Sequence, residues 1–169
     1  MKTARIILAV AAALALQTTL GRFVMRGMGA VDLVLVVVVY VALTSGSGTG
    51  LLVGAFAGLV QDALSSSVIG IGGLAKTIVG FLAGIVGTQF IVAQPLPRFV
   101  VFVAATVLHA VVFMGLYVLL DLRHFGTPYA AVAGQAAGNA AVGVVAFQLV
   151  ELLPGAVERR RAARTRLRR

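Results

Sequence analysis

The chain has 169 residues, 60% hydrophobic and 11% charged, with a mean hydropathy of +1.07. That composition excludes an ordinary soluble domain and identifies an integral membrane protein, with room for one compact domain over residues 1–155 and no separate soluble module. The net charge of +9 is no nucleic-acid signature, because seven of the fourteen basic residues lie in Arg159–Arg169, within a tail over residues 156–169, and cysteine is absent.

A helix needs roughly 20 apolar residues to cross ~30 Å of hydrocarbon, and six segments are candidates. The first runs from about Ile6 to Leu20, behind Lys2 and Arg5. With small residues at Ala13 and Ala15 it also resembles a cleavable signal peptide, but Leu16-Gln17-Thr18-Thr19-Leu20 extends the helix and favours its retention. The second, Val31 to Leu43, is short and valine-rich, bounded by Asp32 and the Thr44–Thr49 Ser/Gly stretch. Valine favours strands in water, but an open strand does not survive in lipid and the alternation of a β-barrel is missing. A short helix, partly shielded by neighbours, is expected there.

The third segment, Gly48 to Leu64, carries glycines 46, 50, 54 and 58 on one helical seam and ends in Gln61-Asp62. After the turn Ser65-Ser66-Ser67, the fourth runs from Ile69 to Val92 with Lys76, Gly80 and Gly84. A break at Pro95 and Pro97, which a helix interior does not tolerate, precedes the fifth, Phe99 to Leu120, with His109 in mid-run. The sixth, Ala130 to Leu153, holds Gly134 and Gly138, with Gln135 and Asn139 on one face, and is closed by Pro154-Gly155.

Six spans put both termini on one side, and Lys and Arg concentrate in cytoplasmic segments. With the termini inside, those segments hold ten basic residues: Lys2, Arg5, Arg98 and the seven tail arginines. The external loops hold three, Arg22, Arg26 and Arg123. The expected fold is an all-α, six-transmembrane-helix bundle with both termini cytoplasmic.

Charge at membrane depth is costly and faces a protein interior or a partner. Asp32, Asp62 and Lys76 are expected in the outer half of the bundle, with the Lys76 stem rising toward Asp62. The group serves either as an interfacial ion pair with a cap on the second helix, or as a contact for a ligand or partner. No chain of carboxylates or histidines crosses to the other face to relay protons. The seam of Gly50, Gly54 and Gly58 permits close helix packing, within the bundle or against a foreign helix.

His109 has no Cys, Glu or second His at ligand spacing, so it reads as a hydrogen-bonded packing residue rather than a metal ligand. Asp121 and His124, three apart in a loop, point to nothing. Gly46-Ser47-Gly48-Thr49-Gly50 lacks the Lys-Ser/Thr of a phosphate loop, and no nucleophile stands with a matching base, so neither an enzyme nor a cofactor is expected. Arg159, Arg160, Arg161, Arg164, Arg166, Arg168 and Arg169 suit an anionic leaflet, where each contributes about 1 kcal/mol at most, or an acidic partner. Nucleic acid is disfavoured, because interleaved aromatics are missing.

Leu16-Gln17-Thr18-Thr19-Leu20, Val31-Asp32-Leu33 and the run from Gly50 to Asp62 resemble the MreD family of bacterial rod-shape-determining proteins. The likeness continues through Gly70, Gly72-Gly73-Leu74, Lys76 and Gly80-Phe81-Leu82-Ala83-Gly84, and is compositional after residue 95. The chain departs from the family at Val31, where proline is usual, and at Phe81, where tyrosine is frequent; the long arginine tail also exceeds the pattern. The resemblance implies a non-catalytic, multi-pass adaptor of the elongation machinery in the inner membrane. It would act with the single-span periplasmic protein MreC and, through it, with MreB filaments and RodA with its transpeptidase. It also implies a fold similar to the substrate-binding subunits of energy-coupling-factor transporters. A vitamin-binding subunit is therefore the alternative, set against the lack of Trp and the presence of only Tyr40, Tyr117 and Tyr129. A small channel lacks a repeated polar stripe.

Overall fold

Six helices alternate in direction around the shortest of them. The computed structural model describes the backbone of residues 2–23, 31–65, 68–90, 94–122 and 129–166, and the side chains of 3–19, 31–65, 68–90, 94–122 and 129–152. The helices are α1 (Lys2–Phe23), α2 (Leu33–Ser45), α3 (Ser47–Leu64), α4 (Ile71–Gln89), α5 (Pro95–Leu119) and α6 (Tyr129–Arg166), and the described residues contain no strand. Of these, α3, α4, α5 and the Tyr129–Leu152 part of α6 are long and apolar enough to cross a membrane; the apolar parts of α1 and α2 are shorter.

α2 is buried on every face, through Val34, Leu35, Val36, Val38, Val39, Val41 and Ala42. A helix that is apolar all round belongs in an interior, and α2 touches all five other helices. Leu35, Val36 and Val39 join Val79, Phe102, Ala105 and Phe147 of α4, α5 and α6. Val34 and Val38 join Val10, Ala13 and Leu14 of α1 and Ala57 of α3. Thirteen residues rise only ~20 Å, which suffices because protein rather than lipid surrounds the helix.

One residue, Gly46, turns α2 into α3. Its φ of +89° lies where only glycine sits without strain, and its N–H donates to the Ala42 carbonyl at 2.9 Å. The α3–α4 contact then runs antiparallel along the glycine seam. A Cβ on Gly50 or Gly54 would overlap the carbonyl oxygen of Gly80 or Lys76, and one on Gly58 would lie 2.6 Å from Gly73 Cα. The seam is therefore filled from within the bundle. The pair on α6 behaves differently: a Cβ on Gly134 would meet nothing, and Gly138 faces Val31 at the start of α2.

The helices depart from the expected bounds by a few residues, α1 starting at Lys2 and α4 ending at Gln89, and two of the departures have a local cause. α5 starts at Pro95, with both prolines in a first turn whose N–H groups lack partners anyway. α6 does not close at Pro154-Gly155 but continues to Arg166. Proline removes one N–H donor and so frees a single carbonyl, and the following Ala, Glu and Arg are strong helix formers.

The pairings define two ends. At the near end lie the start of α1, the α2–α3 turn, and the Arg98–Glu151 contact of α5 with α6. At the far end lie Asp32, Asp62, the start of α4, the end of α5 and the start of α6.

Candidate functional site

α2 begins inside the bundle, so its unpaired N-terminal N–H groups need protein acceptors. Three helices supply them. The Asp32 side chain caps its own helix, accepting from the Leu35 N–H at 2.9 Å. Gln17 Oε1 of α1 accepts from the Leu33 N–H at 2.9 Å, and Asn139 Oδ1 of α6 accepts from the Asp32 N–H at 2.8 Å.

The second Asp32 oxygen forms a salt bridge with Lys76 Nζ of α4 at 2.8 Å, both side chains being almost fully buried. The same ammonium donates to Nε2 of His109 on α5 at 3.2 Å, which places the imidazole proton on Nδ1. Asn139 also donates to Thr106 Oγ1 at 3.0 Å, and that hydroxyl donates to the Phe102 carbonyl at 2.8 Å. Asp32, Lys76, Thr106, His109 and Asn139 are each at most 7% exposed. A buried ion pair needs its remaining hydrogen-bonding capacity met, and here the Leu35 N–H of α2 serves the carboxylate and Nε2 of His109 on α5 serves the ammonium. The chemistry on offer is registration: one carboxylate, one ammonium and two amides fix where α2 sits against α1, α4, α5 and α6.

The structure overturns the expected pairing of Lys76 with Asp62. Asp62 Oδ2 accepts from the N–H groups of Gly70 and Gly73, at 2.9 and 3.0 Å, and so caps α4. The seam glycines bring the end of α3 against the first turn of α4, whose open donors and positive dipole end attract a carboxylate. A Cβ on Gly72 would strike the Asp62 carboxylate. Lys76, one turn further along, reaches across to the cap of α2 instead. Gly50, Gly54 and Gly58 lie buried against α4 and present no surface to another chain in this arrangement.

A second polar group stands at the near end and was legible only as a loop charge. Arg98 is 5% exposed, forks onto both oxygens of Glu151, and lies 4.4 Å above the Phe147 ring. The Phe147 ring in turn packs tilted against Tyr40, with ring centroids 4.4 Å apart, tying α5, α6 and α2 together. The signals were a lone acid at the end of an apolar run and an arginine in a proline-started first turn. Among the described residues no three His, Asp or Glu could hold a metal. The side chains of Lys2, Arg22, Arg159, Arg160, Arg161, Arg164 and Arg166, and all of Arg26, Ser66, Ser67, Arg123, His124, Arg168 and Arg169, lie outside the described residues.

A family model described as "rod shape-determining protein MreD" matches residues 2–154. No curated protein and no solved structure matches the chain.

Proposed function

The chain belongs to the MreD family of rod shape-determining proteins, and from that premise we propose that it is a non-catalytic adaptor of the cell-elongation machinery. In this reading it lies in the bacterial inner membrane with its near end and both termini in the cytoplasm. It holds an MreC-like single-span periplasmic protein and, through it, RodA with its transpeptidase and MreB filaments. The arginine tail lies against anionic lipid.

The observation that carries the reading, beside the family match, is the closed polar centre. Asp32, Lys76, His109 and Asn139 engage one another and the start of α2, as a scaffold needs for a fixed outer surface. The same closure gives the vitamin-binding reading no support, because these groups are already occupied. Asp32, Asp62 and Lys76 then act on a partner indirectly, by fixing the far end of the bundle, and the glycine seam acts by holding α3 to α4.

Depletion in a rod-shaped host tests the proposal. Rounding of cells with loss of lateral wall insertion is expected, together with co-purification of a single-span, coiled-coil periplasmic protein with the intact chain. Normal cell shape on depletion would overturn it.

A further inference from the structure

α1 is the most loosely fastened helix. Among the described residues it touches only α2 and α3. Its one hydrogen bond to another helix runs from the Leu33 N–H to Gln17 Oε1, toward the far end. Its burial begins at Val10, which joins Val34, Val38 and Ala57, and no residue from 3 to 9 is buried. The other helices are clamped at the near end. A Cβ on Gly84 or Gly87 of α4 would overlap the backbone of Ser47 or Leu43, and Arg98 of α5 grips Glu151 of α6.

From Val10 back to Thr3, α1 stands off α3 across a groove of about 350 Å³, ~10 Å long at helical rise. The two walls match each other. α1 presents Thr3, Ile6, Ile7 and Val10. α3 presents Thr49, Leu52, Val53 and Phe56. Both sets have the i, i+3, i+4, i+7 spacing of a single helical face. The two helices run parallel, on either side of α2 in the chain, so the sets lie in the same order with a threonine at the near end of each. None of the lining residues is charged. Ile7 and Leu52 are 59% and 67% exposed in this open position.

Two apolar faces of equal spacing and order on parallel neighbours are the halves of one packing seam, in which side chains of each helix enter gaps on the other. Held apart, they forfeit dispersion contacts along both walls. The surface that fits each wall is therefore the opposite wall. We propose that the first half of α1 is a hinged arm that closes onto α3, pivoting over the stretch from Val10 to Gln17. Closure seats Ile6 and Ile7 among Leu52, Val53 and Phe56. In lipid it gains packing without the expulsion of water, so the open and closed positions lie close in free energy. Gln17 ends the lever at the Leu33 N–H, so the arm joins the near-end surface to the head of α2.

The chain has no cysteine, so the arm can be labelled in the otherwise native sequence. Nitroxides on Ala4→Cys and Gly48→Cys, at exposed positions outside the walls, report its distance from α3 by double electron–electron resonance on the full chain in lipid nanodiscs. Two distances are expected. Ile7→Trp, or Leu52→Trp from the opposite wall, adds bulk at an exposed position and is expected to remove the shorter one. Unlabelled Thr3→Cys with Thr49→Cys is expected to form a disulfide on oxidation, which requires Cα atoms about 4.4–6.8 Å apart. A single distance that neither Trp variant changes overturns the proposal, and so does failure of the disulfide to form. A shorter distance that persists in both Trp variants overturns it as well, because the motion then does not close the groove. Neither readout depends on a role in cell elongation.

Discussion

Neutralising the ion pair at the head of α2 is the most direct test of the polar centre. Asp32→Asn removes the charge and leaves a side chain that still caps Leu35, since Asn and Asp are equivalent N-caps. Lys76→Met keeps the length of the stem and removes the ammonium, which leaves the Asp32 carboxylate and His109 Nε2 without their donor. Both partners are at most 5% exposed, so each single change strands a buried charge, at a cost of roughly 3–5 kcal/mol. The double variant strands none and loses only hydrogen bonds, worth about 1.5–3 kcal/mol each when a charged group is involved. A double-mutant cycle on thermal unfolding in detergent should therefore give a coupling of roughly 3 kcal/mol or more. The same cycle on Asp62→Asn with Lys76→Met should give a far smaller value, because Asp62 bonds the first turn of α4. Additivity for Asp32 with Lys76, or a larger coupling for Asp62 with Lys76, would refute the assignment.

Two further outcomes are expected. Gly54→Leu and Gly58→Leu force the α3 and α4 backbones apart and should lower the melting temperature and the yield of folded protein, by 1–3 kcal/mol or more for an overpacked contact; Gly48→Leu, with nothing near its Cβ position, should not, and equal behaviour of all three would mean the helices do not meet as described. Cysteines placed at residues 3 and 165 should be shielded from an impermeant external thiol reagent while one at Ser66 labels, and labelling at both termini would reverse the proposed orientation.

The sequence by itself determined the class of the protein, the number of helices and the residues at which to look. Apolar runs too long and too uniform for water leave helices as the answer, because a backbone in lipid must satisfy its own hydrogen bonds. The same cost of polarity in lipid marked Asp32, Asp62, Lys76, His109 and Asn139 as exceptions, and all five are buried. The four-residue glycine repeat on α3 likewise announced a close approach. Which exception meets which was decided only in three dimensions. Asp62 and Lys76 are 14 residues apart across a turn, which makes them the natural pair for a reader of sequence; Asp32 and Lys76 are 44 apart and meet because α2 is drawn into the centre, where its first turn needs acceptors from Gln17 and Asn139. The role of Arg98 was hidden for the same reason: a basic residue beside a proline break looks like loop charge until α5 and α6 are laid antiparallel and Glu151 arrives beside it. Local pattern fixes where helices run and which residues are costly, whereas the partners that offset that cost come from helices distant in sequence, and packing alone selects them.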